Sequence, residues 1–293
     1  MSNRILSDEQ IEQFETRGHV HLRECFPREV AQEWVAHGMM RLGYDPENPA
    51  TWLEKRVHLA VTRRVNVEEF APEIFRAMCE LVGGAERIET PSWGDSFIGN
   101  FGIGADRPWD APSPQVQGWH KDGDFFRHFL DSPEQGLLVI VLWTDIEPRG
   151  GGTFVACDSI PVLARFLAER PEGVLPDGFD FQARIAECRD FVEVTGRAGD
   201  VLLVHPFVLH TVSQNHRGTA RLITNPPVHL REPMNFNRDD AAAFSPVERA
   251  VLRALQVERL DFQPKSLREK IIPERVRRQQ KALEEEKARL AVA

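Results

Sequence analysis

The chain has 293 residues, of which 42% are hydrophobic and 28% charged, with a formal net charge of −9. That composition suits a globular protein with a sizeable core, and an acidic balance leaves no electrostatic footprint for nucleic acid. No run nears the roughly 20 apolar residues that span a bilayer, and the N-terminal MSNRILSDEQIEQF holds no apolar signal core. Cys25, Cys79, Cys157 and Cys188 form no CxxC pair. The expectation is a cytoplasmic protein with reduced thiols, though four cysteines do not by themselves exclude a disulfide.

In chain order, Ser7-Asp8-Glu9-Gln10 opens a helix with a capping box, Gly18 ends it, and His19–Leu22 reads as a strand. Pro27 starts a second helix with Val30, Ala31, Trp34 and Val35 on its apolar face. A third covers Pro72 to Val82 and stops at Gly83-Gly84. From Ser92 the pattern changes to short apolar runs between Gly, Pro and Asp clusters: Ser96–Phe101, Gly136–Trp143, Gly152–Ala156, Asp190–Val194, Asp200–His205 and Ala220–Val228. This reads as an all-β sandwich or barrel, with one helix, Ile160 to Glu169, inserted. After Asn237 the chain turns helical again. Val247, Val251, Leu252 and Leu255 make an apolar stripe suited to docking on the barrel or on a second subunit, so a homo-oligomer through these helices is open. The last stretch, with Arg275, Arg277 and Arg278 interleaved with Glu284, Glu285 and Glu286, reads as an exposed or frayed helix. With no repeat and no linker, 1–293 is taken as one domain: 5–231 as the core and 239–293 as a helical extension.

Two segments carry chemistry. In Gln117-Gly118-Trp119-His120-Lys121-Asp122-Gly123, an extended backbone points His120 and Asp122 to one side. Two imidazoles and one carboxylate on one face are the ligand set of non-haem iron(II) oxygenases, leaving open positions. The competing reading of an HxD is a surface turn with a charged pair. The second imidazole is sought in Gly199-Asp200 through His210, read as one buried strand that delivers His210 at its far end. Arg221 opens the next apolar strand. An arginine pointing into a barrel needs an anion, either a ligand carboxylate or an internal Asp or Glu.

HxD, then Gly-Asp–strand–His, then Arg eleven residues later resembles the iron(II)/2-oxoglutarate oxygenases, and the phytanoyl-CoA dioxygenase family in particular. The likeness runs over residues 5 to 231. It includes LSDEQIEQFETRGHVHLRECF, the strand ending Trp143-Thr144, the turn Gly150-Gly151-Gly152, and His205-Pro206 through His210 to Gln214-Asn215. It implies a mainly β fold, a double-stranded β-helix (jelly-roll or cupin-like) with helices at both ends. His120, Asp122 and His210 would hold Fe(II) as catalytic residues. Arg221 would grip 2-oxoglutarate, with Trp143 and Asn100 as further cosubstrate contacts and His205 as packing. Two departures stand out. The chain reads Cys157-Asp158-Ser159-Ile160 after the glycine turn, and Val212 replaces a serine, so that Thr211 or Ser213 would have to supply a hydroxyl. The implied activity is O2-dependent hydroxylation or desaturation of a small metabolite, with succinate and CO2 released. Phe125, Phe126, Arg127 and Arg231 are expected around the substrate. The alternatives are a cupin-like binding or regulatory protein without turnover, and a zinc-dependent isomerase or hydrolase.

Overall fold

The structure, a computed structural model, describes residues 4–290. The ends of the single-domain reading, 1–3 and 291–293, lie outside the described residues. The strands are β1 (His19–Leu22), β2 (Arg56–His58), β3 (Arg64–Asn66), β4 (Ser92–Gly94), β5 (Ile98–Asn100), β6 (Leu137–Leu142), β7 (Thr153–Ala156), β8 (Phe191–Glu193), β9 (Val201–Val204), β10 (Leu209–Val212), β11 (Arg221–Thr224) and β12 (Pro227–Val228). The helices are α1 (Asp8–Arg17), α2 (Arg28–Leu42), α3 (Val67–Phe70), α4 (Pro72–Val82), α5 (Ile160–Ala168), α6 (Phe181–Ile185), α7 (Pro246–Leu255) and α8 (Glu274–Leu290). No helix among them is long and apolar enough to cross a membrane.

The strands form two antiparallel sheets and a small β3–β4 pair. The larger sheet runs β1-β9-β6-β11-β5-β2, with β12 added beside β6; the smaller runs β10-β7-β8. The run read as one strand from Val201 to His210 is two. β9 ends at Val204, His205–Val208 closes a turn through Val208 N–H to His205 O at 3.0 Å, and β10 continues in the other sheet. Pro206 explains the break, because it has no N–H to give to a ladder. His210 therefore starts opposite the larger sheet rather than at its edge.

One face of the larger sheet is covered by helices. Trp143, directly after β6, stacks on Trp34 of α2 with ring centroids 4.6 Å apart and 11° between planes, and Phe26, Phe70 and Phe97 close the cluster. Such ring pairs add about 0.5–1.5 kcal/mol beyond burial. α2 approaches closely at Gly38, where a Cβ would come within 2.7 Å of the Phe97 ring. The expectation that Trp143 contacts the cosubstrate is thus corrected. It lies on the helix side, and its Nε1–H donates to Thr224 Oγ1 at 2.9 Å, so no polar atom is left for a cosubstrate.

α1 carries the capping box expected from Ser7 and Gln10, and Gly18 ends it in the left-handed region at φ 75°. The α7 stripe is buried against this same chain, with Val247, Val251 and Leu252 packed toward α1, α4 and α5. Of the two docking alternatives, the barrel side of this same chain is the one these three residues occupy. The reading of the last helix as merely exposed needs correcting too. One side of α8, through Arg275, Gln279, Leu283 and Glu286, is partly covered. Glu286 forks onto buried Arg41 at 2.7 and 3.1 Å, Arg275 forks onto Asp124 at 2.5 and 2.7 Å, and Arg289 reaches the Arg41 carbonyl. Ahead of it, residues 265–271 run along the segment after the HxD, with Arg127 N–H to Glu269 O at 2.9 Å and Ile271 N–H to Phe125 O at 2.8 Å. Ion pairs at the far ends of long side chains dock this polar helix without an apolar stripe, which hydrophobic periodicity cannot register.

Candidate metal centre

His120 lies on a short extended segment that adds to the edge of the smaller sheet. His120 N–H donates to His210 O at 3.0 Å, and His210 N–H to His120 O at 2.9 Å. The two rings come to lie 4.5 Å apart. Asp122, two residues on, points the same way. Its Oδ1 stands 3.5 Å from His120 Nε2 and 3.6 Å from His210 Nε2, and the three donor atoms lie within 4.8 Å of one another. Ligands about 2.0–2.2 Å from one ion at right angles are about 3 Å apart, so a small inward movement converges them on a metal. Gly118 at φ 85° and Gly123 at φ 120° turn the chain on either side of the motif. At Gly123 a Cβ would strike the His128 ring at 2.5 Å.

The protonation pattern fits a metal. His120 Nδ1 lies 2.8 Å from Gly118 O, and His210 Nδ1 3.2 Å from Val208 O. A carbonyl can only accept, so each Nδ1 carries a proton, and each Nε2, the atom that faces Asp122, is left to share a proton or a metal with the carboxylate. Burial works to raise the Asp122 carboxyl, but the charge of His210 and hydrogen bonds from both histidines outweigh it and hold it well below the usual range. Burial works against charge on His120, and the bond and charge of Asp122 overcome it and raise that imidazole. A cation among these three groups takes the place of that proton.

Arg221 opens β11 with only 2% exposure. Its Nη2–H donates to Thr153 Oγ1 at 2.9 Å across the gap between the sheets, and its Nε has no partner. Burial, with the charge of Arg56 adding to it, lowers the guanidinium to about 9, so it is still a cation at neutral pH. Among the described residues no Asp or Glu pairs with it, which removes the internal ion pair as its explanation. Thr153 is in register with Val212 of β10, two residues from His210 on the same face. Two residues of strand span about 7 Å, so the cation and the triad line one cleft.

Asn100 is in register with Arg221 but is spent on a turn. Its Oδ1 accepts from Gly102 N–H at 3.2 Å and Ile103 N–H at 2.9 Å, and its Nδ2–H donates to Ser213 O at 3.0 Å. This corrects its reading as a cosubstrate contact. Thr211 and Ser213 do not supply a hydroxyl either, because both donate to backbone carbonyls. Thr153 is the hydroxyl that stands beside Arg221, accepting from its Nη2–H. His205 is buried packing, as expected. Phe207 N–H donates to its Nδ1 at 3.1 Å, and burial lowers it to about 3. Phe126 belongs to the core, Phe125 is half-buried, Arg127 is held by Glu269 at 2.8 Å, and Arg231 is exposed. The four cysteines are free thiols.

Asn225 was missed from the sequence. Its Nδ2–H donates to Asp122 Oδ2 at 2.7 Å. The available signal was the alternation 221–223–225, which carries it on the Arg221 side of the strand.

No family model matches the chain, and no curated protein matches it. Among solved structures it is similar to the non-haem alpha ketoglutarate dependent epimerase SnoN from nogalamycin biosynthesis, at 17% identity over 76% of this chain and 82% of that one, with a TM-score of 0.47. It is also similar to EctD from S. alaskensis with 2-oxoglutarate and 5-hydroxyectoine, at 17% identity over 78% of each chain and a TM-score of 0.45. HygX from Streptomyces hygroscopicus with nickel and 2-oxoglutarate aligns at 16% identity over 76% of this chain and 87% of that one, with a TM-score of 0.40.

Proposed function

We propose that the chain is a non-haem Fe(II)/2-oxoglutarate-dependent dioxygenase of the phytanoyl-CoA dioxygenase type, its two opposed sheets forming a double-stranded β-helix. It hydroxylates or desaturates a small metabolite and releases succinate and CO2. The observation that carries this reading is the unpaired, buried Arg221 guanidinium in the cleft of the His120–Asp122–His210 cluster. A buried lone cation is costly, and a carboxylate ligand relieves that cost through a charge-assisted fork. The zinc hydrolase or isomerase alternative gives Arg221 no role.

In this reading His120 Nε2, His210 Nε2 and Asp122 Oδ1 hold the iron. Bound Fe(II) supplies the open coordination positions and the redox chemistry with O2. Asn225 keeps Asp122 turned so that one oxygen faces the histidines. Arg221 and Thr153 fix the distal carboxylate of 2-oxoglutarate and so orient its keto-acid end toward the triad. The apolar side chains of β6 and β11, including Leu142 and Ile223 on the Arg221 face, exclude water from the reacting atoms.

The test is Fe(II)-dependent formation of succinate from 2-oxoglutarate under O2, in the wild type and in His120→Ala, Asp122→Ala and His210→Ala. Each variant should keep the fold and lose both metal affinity and turnover. Wild-type iron affinity in any one of them removes that residue from the triad. A wild type that binds 2-oxoglutarate and never yields succinate is the cupin-like binding protein instead.

A further inference from the structure

β2 is the edge strand of the larger sheet. Arg56 sits in register with Asn100, and Asn100 with Arg221. Residues opposite one another across antiparallel strands project to one face. Arg56 therefore shares the face of Arg221, and so does His58, two residues further on. Arg221 is buried in the cleft, whereas Arg56 is exposed at the outer edge of the same row. The charge of Arg56 works to lower Arg221, His120 and His58, and that of Asp122 works to raise His58. The pair thus stands at the exposed rim of the row that carries Arg221.

The acids around this rim are already engaged. Asp122 belongs to the triad and to Asn225, and Asp124 is forked by Arg275. Among the described residues Arg56 has no ion-pair partner. The C-terminal helix closes the side of the rim: Gln279 Nε2–H donates to Leu59 O, next to His58, at 3.4 Å, and Arg275 pins the loop after the HxD. The chain as a whole carries −9, so one unmatched guanidinium at the mouth stands out and would draw anions toward the cleft.

Resting on the oxygenase reading above, we propose that Arg56 and His58 form a subsite for an anionic oxyacid group, carboxylate or phosphate, of the prime substrate. Arg221 takes the carboxylate of the cosubstrate, and Arg56, further out on the same row, takes that of the substrate. The guanidinium fork matches either oxyacid.

The test uses full-length protein loaded with Ni(II) and saturating 2-oxoglutarate without O2, so that Arg221 is occupied. Hexanoate, hexyl phosphate and hexanamide are titrated by calorimetry. The wild type should bind at least one acid about tenfold or more tighter than the amide, and the better acid identifies the oxyacid. Arg56→Gln and His58→Gln should erase most of that preference, and Arg56→Lys should retain part of it. Melting curves check that each variant is folded. Equal binding of acids and amide, no binding of either acid, or an undiminished preference in folded Arg56→Gln would overturn the proposal. Failure of the oxygenase reading shows separately, as no heat when 2-oxoglutarate is titrated into the Ni(II)-loaded protein beforehand; the acid preference at Arg56 is then read as the difference between the wild type and folded Arg56→Gln, both of which keep Arg221.

Discussion

Asn225 donates to Asp122 Oδ2 at 2.7 Å, which leaves Oδ1 as the oxygen 3.5 and 3.6 Å from the two histidine Nε2 atoms. In the proposed function the amide fixes which carboxylate oxygen would ligate. Loss of such an outer partner typically costs about 10–100-fold in metal affinity. Asn225→Ala should therefore weaken Fe(II) binding by about that range, measured by competition with a chelator. Asn225→Asp should weaken it too, because a second carboxylate would crowd Oδ2. An unchanged affinity in Asn225→Ala would reduce the bond to packing.

Arg221 and Thr153 make the second prediction. Truncating one side of a buried charge-assisted pair costs about 2–5 kcal/mol, so Arg221→Ala should raise the Kd for 2-oxoglutarate by the corresponding factor. Arg221→Lys should rescue only part, since an ammonium lacks the fork. Thr153→Val removes one neutral partner, and a net cost of about 0.5–1.5 kcal/mol is expected. Titration of 2-oxoglutarate into the metal-loaded variants reads all three. An unchanged Kd in Arg221→Ala would mean that Arg221 binds something else.

A third prediction follows from His205. Burial holds its imidazole down to about 3, whereas in the unfolded chain it titrates near about 6.5. Between those values the unfolded state binds a proton that the folded state refuses. Stability therefore rises with pH through this window and is lost as pH falls from about 6.5 toward about 3, at roughly 1.4 kcal/mol per pH unit for one such group. Denaturant unfolding of the wild type and of His205→Asn from pH 4 to pH 8 should show a slope shallower by about one proton in the variant. Equal slopes would mean that the folded protein protonates His205 readily.

The proposed metal ligands and the buried Arg221 were legible in the sequence because local chemistry betrays them. His120 and Asp122 share a face by the period of two, and Arg221 begins an apolar run where a charge is out of place. Helix ends were legible for the same reason: Ser7, Gly18 and Gly83 act through their own backbone. Trp143 was misplaced because β6 is buried on both sides, so alternation no longer tells which face meets helices and which meets the cleft. The break between β9 and β10 was hidden by continuous apolarity on both sides of Pro206. Asn225 and Thr153 were missed because their roles depend on partners 103 and 68 residues away. Arg56 and His58 lie on a three-residue strand, too short to show a period at all.

The last prediction concerns the C-terminal helix. Arg41 is 2% exposed and shares its guanidinium between Asp95 and Glu286. Deleting residues 280–293 removes Glu286 and Arg289 but leaves Arg275 and all three metal ligands. Asp95 still balances the Arg41 charge, so the loss is one buried hydrogen-bonded fork, worth about 1–3 kcal/mol. The truncated protein should therefore melt lower and keep its Fe(II) affinity, and Glu286→Gln should reproduce part of the loss without shortening the chain. Cutting from Asp239 should be far more damaging. It strips α7, whose buried side covers α1, α4 and α5, and with it the 265–275 segment that braces the loop after the HxD. Thermal melts and chelator competition on the three variants separate these effects. If the 280–293 deletion melts with the wild type, the Arg41–Glu286 pair contributes nothing and α8 is the free polar helix its composition suggests.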